Sequence, residues 1–219
     1  AARPRAEIVE ISLASGRVVR AVAMPRLTRP FLAADDDGLW IAPSPETGKP
    51  GPAPTYLLTP NATALRIVRR GGDAAVWLLA ARHTVWEDLE TFRRGAANTR
   101  QELWRLDGPE GTARKLARLD NLNGNQPALQ PTTDTLWTLN SVPDSNRFTT
   151  CTRQQVVAIN GSSGRQTIVR TLRIPADPCF PIPPEQPFGG TDEGQLFIDG
   201  AFYFLSSPSL ATTLYRVRR

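Results

Sequence analysis

Apolar and polar residues alternate in short runs along most of the chain, and turn-forming residues break the runs every few positions. In EIVEISLASGRVVRAVAMP (7–25), Ile8, Val9 and Ile11 lead into Ser15-Gly16, and Val18, Val19 and Val22 lead out. Period-two alternation interrupted by a Ser-Gly pair predicts two strands joined by a turn. RPFLAADDDGLWIAP (29–43) reads the same way around an acidic turn, and TYLLTP (55–60) and TALRIVRR (63–70) add two more strands. Strand patterns follow in DAAVWLLA (73–80), QELWRLD (101–107), ARKLARLD (113–120), QPALQPTTDTLWTLN (126–140), RQQVVAINGSSG (153–164), RQTIVRTLRIP (165–175), GQLFIDGAFYFLSS (194–207) and TTLYRVRR (212–219). One stretch departs from period two. In AARHTVWEDLETFRR (80–94), Trp86, Leu89 and Phe92 fall three residues apart with charges between them, which predicts a short helix on an excursion between strands.

Several strands share a wording: DGLWIAP (37–43), AAVWLLA (74–80), DTLWTLN (134–140) and GAFYFLS (200–206) each carry an aromatic in a similar place. Trp40, Trp77, Trp137 and Tyr203 mark them, at spacings of 37, 60 and 66 residues, so no strict period exists. Grouping the strands by these landmarks gives a partial repeat at 7–27 and fuller ones at 28–72, 73–120, 121–175 and 176–219, within one domain over 1–219. One small meander cannot bury both faces, whereas radially stacked meanders cover one another and leave only short edges. The expected fold is therefore all-β: a small or irregular β-propeller of four to five blades. The alternatives are a β-sandwich, which also uses many short strands, or a fragment of a longer propeller.

The phrases DGLW, LYRV and VVAINGSSGR are similar to repeats of bacterial β-propeller proteins of the NHL and PQQ-like groups, in which a DG-type turn precedes an aromatic strand. The resemblance spans most of 28–219 in short, degenerate phrases. It lacks the Gly-His to Trp-Asp signature of WD repeats and a clean run of the Trp-docking phrases of PQQ dehydrogenases. It implies a fold, and such folds host many functions.

Composition narrows the setting. The chain has 219 residues, 40% hydrophobic and 21% charged, with 20 Pro and 16 Gly, as expected for a folded protein rich in turns. No run approaches eighteen apolar residues, so no membrane-spanning helix is expected. The net charge of +5 comes from arginines scattered at strand ends, since Lys occurs only at 49 and 115. No basic stripe interleaves with aromatics, which argues against a nucleic-acid partner. The low Lys and abundant Ala, Arg, Pro and Gly fit a high-GC bacterial coding bias. Cys151 and Cys179 sit in neither a CxxC pattern nor a His-rich setting. A disulfide between them would restrain the Pro-rich connection and place the protein outside the cell or at its surface; two unpaired thiols are the alternative.

Candidate chemistry is sparse. Asp35, Asp36 and Asp37 offer oxygens to calcium, but without the alternating Asp spacing of a calcium loop they also read as a solvated turn. His83, Trp86 and Glu87 would lie on the excursion at 80–94 and could cover a ligand pocket, or simply pack it down. Asn123 and Asn125, in NLNGNQPALQP (121–131), can bind a sugar or another polar ligand, or bond local backbone. No GxSxG is present and neither Cys is placed as a partner for His83. Carboxylates for glycoside chemistry, such as Asp36, Glu87, Asp134 and Asp192, are available but not visibly paired. The leading expectation is a non-enzymatic module, exported or on the cell surface, that binds a protein or a small polar ligand or glycan without a resident cofactor. The alternative is a lyase or glycoside hydrolase on the same scaffold.

Overall fold

The structure is a computed structural model and describes residues 6–25, 27, 30–44, 54–70, 74–91, 100–119, 127–130, 132–146, 149–172, 195–198, 200–206 and 213–218. It is all-β, built from several small antiparallel sheets. β1 (Glu7–Ile11) and β2 (Val18–Ala23) form a two-stranded hairpin. β3 (Phe31–Asp35), β4 (Gly38–Ala42), β5 (Thr55–Leu58) and β6 (Arg66–Arg69) form a meander in that order. A second meander runs through β7 (Ala74–Ala81), β8 (Thr84–Thr91), β9 (Arg100–Asp107) and β10 (Arg114–Arg118). The third uses β11 (Ala128–Gln130), β12 (Thr135–Asn146), β13 (Thr149–Asn160) and β14 (Gln166–Leu172). β15 (Gln195–Ile198), β16 (Ala201–Ser206) and β17 (Thr213–Arg218) make a three-stranded sheet.

Residues 80–91 are not helical, which corrects the expectation for that stretch. β7 and β8 are joined through Arg82 and His83, both at positive φ (47° and 62°), a two-residue turn whose hand matches strand twist. β8 is a central strand buried on both faces over 84–89, so it has no polar side to alternate. Glu87 and Asp88 are both buried there, and their charges imitate the wet face of a helix.

With β8 recognised as a strand, the repeating element becomes clear. Trp40, Trp86, Trp137 and Tyr203 each occupy the third position of the second strand in their sheet. In two sheets the indole is tethered alike: Trp40 Nε1 donates to Asp35 Oδ1 (2.9 Å) and Trp137 Nε1 donates to Gln130 Oε1 (3.0 Å). Asp35 and Gln130 are the last residues of β3 and β11. Register agrees as well. Leu57 faces Arg66 and Thr55 faces Arg69, skipping Val68; Ala158 faces Thr167 and Val156 faces Arg170, skipping Val169. The same bulge therefore sits at the same place in both fourth strands.

The β1–β2 hairpin repeats the turn between β13 and β14. Ser12 N donates to Arg17 O (2.9 Å) and Gly16 N to Ser12 O (2.7 Å); Asn160 N donates to Arg165 O (2.9 Å) and Gly164 N to Asn160 O (2.8 Å). Ser12-x-x-Ser15-Gly16-Arg17 and Asn160-x-x-Ser163-Gly164-Arg165 carry the same residues where it matters. Both glycines lie at positive φ (66° and 73°), which L side chains rarely adopt.

The chain divides into two compact units, Ala1–Lys115 and Leu116–Arg219. In the first, β3 runs beside β7, and a core of Trp40, Ala42, Leu57, Ala75, Leu78, Val85, Leu89 and Leu106 fills the space between the two meanders. In the second, β11 runs beside β15, and Trp137 stacks on Phe202 with centroids 6.0 Å apart, among Ala128, Leu139, Val156 and Val217. Gly38 is a tight point in the first unit. Its φ is 134°, and an added Cβ would lie 2.2 Å from the Leu58 carbonyl oxygen. Gly38→Ala is expected to lose about 2–4 kcal/mol of stability in urea unfolding, through strain and backbone collision together.

Candidate functional site

The tight turns between first and second strands, and between third and fourth, emerge at one end of each meander. Connections from second to third strand, and from one sheet to the next, emerge at the other end, as antiparallel order requires. The first end is built from short turns at 36–37, 82–83, 59–65, 108–113 and 161–165. The strands that lead into the connections 43–54, 92–99, 119–127 and 173–194 end at the other end of their meanders. Function classes that need varied loops on a fixed scaffold belong at that second end.

His83 lies at the short-turn end. Its Nδ1 is 2.8 Å from Asp37 Oδ1, and the ring is 63% exposed while the Asp37 side chain is 12% exposed. The carboxylate bond and charge of Asp37 hold the imidazolium above its ordinary pKa, with smaller help from Asp36 and Asp35. The His83 carbonyl also accepts Gly108 N at 2.6 Å, which ties this turn to the start of the β9–β10 turn. The pair thus joins the tips of two meanders.

The acidic turn itself is largely engaged in building structure. Asp35 Oδ1 accepts Asp37 N at 3.0 Å as well as the Trp40 indole. Asp35 Oδ2 and Asp37 Oδ2 are buried and meet no hydrogen-bond donor among the described residues. Among those residues, no group of three or more His, Cys, Asp or Glu side chains is arranged to hold a metal ion.

Trp86 and Glu87 are both fully buried. Trp86 receives the Arg105 guanidinium over its ring at 5.7 Å. Glu87 Oε2 accepts from Arg69 Nε at 2.8 Å, with the two side chains 0% and 6% exposed. This ion pair bridges β8 and β6 across the stacked meanders. Asn123, Asn125 and Cys179 lie outside the described residues, and Cys151 is described only as a backbone position opposite Asp144. β10 ends opposite the His83 turn, so the chain leaves toward Asn123 and Asn125 from the long-connection end. The expected grouping of His83 with Trp86 and Glu87 is thus split between an exposed turn and a buried interface.

No protein-family model matches this chain, and no curated protein sequence matches it.

Two measurements check the geometry. His83 is the sole histidine, so its two carbon-bound ring protons report a single titration by NMR. Its midpoint is expected above the ordinary value and to fall back toward it in Asp37→Asn. A raised folded pKa means that the stabilisation is complete below the unfolded pKa and is lost as pH rises through the folded one. For the buried pair, Arg69→Met alone strands the Glu87 carboxylate and is expected to cost about 3–5 kcal/mol. Arg69→Met with Glu87→Leu should recover most of that loss in the same denaturation assay.

Proposed function

We propose that the chain is a β-propeller of four to five blades that acts as an exported or cell-surface binding module, recognising a protein or a small polar ligand such as a glycan. The single observation that carries the fold part is the direction of the second-strand tryptophans. Trp40 faces the following meander, and Trp137 faces the following three-stranded sheet. First strands of successive sheets run side by side in both units, as blades arranged about an axis require. In each unit the second strand of the leading sheet, β4 or β12, hands its aromatic to the sheet that follows. The likeness of DGLW, LYRV and VVAINGSSGR to bacterial propeller repeats supports the same reading.

Binding takes place at the end that carries the long connections. The opposite end is closed by short turns whose side chains bond one another, as in His83–Asp37 and Asn160 with Ser162 and Ser163. Asn123 and Asn125, in the connection after β10, are the polar candidates at the binding end. The Cys151–Cys179 disulfide braces the Pro-rich connection in an oxidising compartment. No helix among the described residues is long and apolar enough to cross a membrane.

A glycan array probed with the whole chain tests this reading. A bound glycan class should be lost in Asn123→Ala/Asn125→Ala and kept in His83→Ala. Conversion of the bound glycan to product on prolonged incubation would overturn it in favour of an enzyme. Binding abolished by His83→Ala but not by the paired Asn substitutions would put the site at the wrong end.

A further inference from the structure

The β11–β14 sheet holds a cavity of about 230 Å³ on one face. Register decides which residues line it. Thr135 pairs with Asn160, Trp137 with Ala158, and Ala158 with Thr167, so β12, β13 and β14 turn these side chains to the same side. Val169, the residue skipped by the bulge in β14, and Arg165 of the β13–β14 turn complete the wall. The first unit explains why there is space. Its matching row reads Trp40, Leu57 and Arg66. Leu57 is fully buried in the core there, and Arg66 pairs with Glu110, Nη2 to Oε2 at 2.7 Å. Ala158 and Thr167 stand at those two places in the second unit, and both are smaller. One register filled by smaller side chains leaves volume unoccupied.

The chemistry of the wall says what fits. Asn160 Oδ1 accepts Ser162 N (3.0 Å), Ser163 N (2.8 Å) and Ser163 Oγ (2.9 Å), which leaves the Asn160 Nδ2 group to donate elsewhere. The Trp137 indole N–H is taken by Gln130, and the Thr135 hydroxyl meets Thr133 Oγ1 at 2.8 Å. The Thr167 hydroxyl is on an exposed residue. The lining carries one ionic group, the exposed Arg165, and no carboxylate. The Arg165 backbone is fixed within its turn, N to Ser163 Oγ at 3.3 Å and O from Asn160 N at 2.9 Å. Ala158, Val169 and the Trp137 ring make the apolar part of the wall. A guanidinium, an amide and a hydroxyl beside an apolar floor select one carboxylate on a small body that carries further hydrogen-bond acceptors. At roughly 30 Å³ per water molecule the cavity equals about eight waters, the space of a single sugar-sized ring.

We infer that this cavity binds a hydroxylated ring monocarboxylate, a sugar acid of the hexuronate type. The carboxylate sits on Arg165, ring oxygens accept from Asn160 Nδ2 and the Thr167 hydroxyl, and the C–H face of the ring lies over Ala158 and Val169. This site goes beyond the reading given above: it uses only residues of the second unit and does not depend on Asn123 or Asn125.

The probe is sodium D-glucuronate, titrated into the whole protein and followed by calorimetry and by the backbone amide signals of residues 158–169 in NMR spectra. Saturable binding with a Kd of roughly 1 mM or tighter is expected, with D-glucose and acetate each about tenfold weaker or worse. Arg165→Gln changes an exposed side chain and should weaken glucuronate binding roughly tenfold or more. Ala158→Leu installs the residue found at Leu57 and should abolish binding by filling the cavity. If that variant overpacks and misfolds, the same spectra report it and Arg165→Gln decides. A disaccharide ending in glucuronate that binds as well as the free acid supports the site and assigns it to a glycan terminus. One that binds roughly tenfold more weakly supports the site and assigns it to the free acid. No saturable shift up to roughly 10 mM glucuronate overturns the inference. So does an affinity unchanged in Arg165→Gln, or acetate binding as tightly as glucuronate, since the ring would then contribute nothing.

Discussion

A meander of strands three to twelve residues long has two faces and too little core of its own, and the side chain that resolves this is the second-strand tryptophan. Trp40 is fully buried against the next meander, and Trp137 is nearly so against Phe202. Burying an indole removes roughly 200 Å² of largely apolar surface, on the order of 5 kcal/mol at ~25 cal/mol per Å². The polar N–H would subtract from that gain if it were left dry, so its bond to Asp35 or Gln130 is part of the same device. One residue at the end of the first strand thus fixes both the rotamer of the wedge and the spacing of the turn. The short acidic loop at 36–37 and the longer one at 131–134 reach that result with different lengths because the tether, rather than the loop, sets the ring's place.

Between the first two meanders the apolar wedge shares the interface with the Arg69–Glu87 pair. The pair adds little net stability over a hydrophobic substitute, but it adds direction: a carboxylate on β8 with 0% exposure accepts only one relative placement of β6. The bulge that skips Val68 turns Arg69 toward that partner, and the same bulge in β14 presents Arg170. Backbone geometry is shared between the units, and in the first of them Glu87 answers it. Shared geometry with different chemistry is what separates a structural interface from a surface open to a partner.

Most strands were legible in the sequence because one face was wet. β3, with its alternating half-buried and exposed residues, and β14, mostly exposed, read directly from period two. β8 did not, since both faces are buried and the charged residues inside it are paired or packed rather than solvated. Its turn was hidden too, because Arg82-His83 adopts positive φ without the Asn-Gly or Asp-Gly that announces such a turn. Reading Trp77 as the landmark in place of Trp86 followed from those two facts, and it displaced the second repeat. The candidate site suffered similarly. Glu87 and Trp86 look like a polar-aromatic ligand pair in sequence, yet the strand that carries them runs through the core.

The two ends of the meanders respond differently to sequence change, and this bears on where recognition can evolve. At the short-turn end each loop is constrained by its own bonds: Asn160 Oδ1 accepts Ser162 N and Ser163 N, Gly38 has no room for a Cβ, and His83 is held by Asp37. A substitution there perturbs strand register before it creates a binding surface. At the other end the connections differ in length from sheet to sheet while the strands they join keep one register, so residues can be added without moving Trp40 or Trp137.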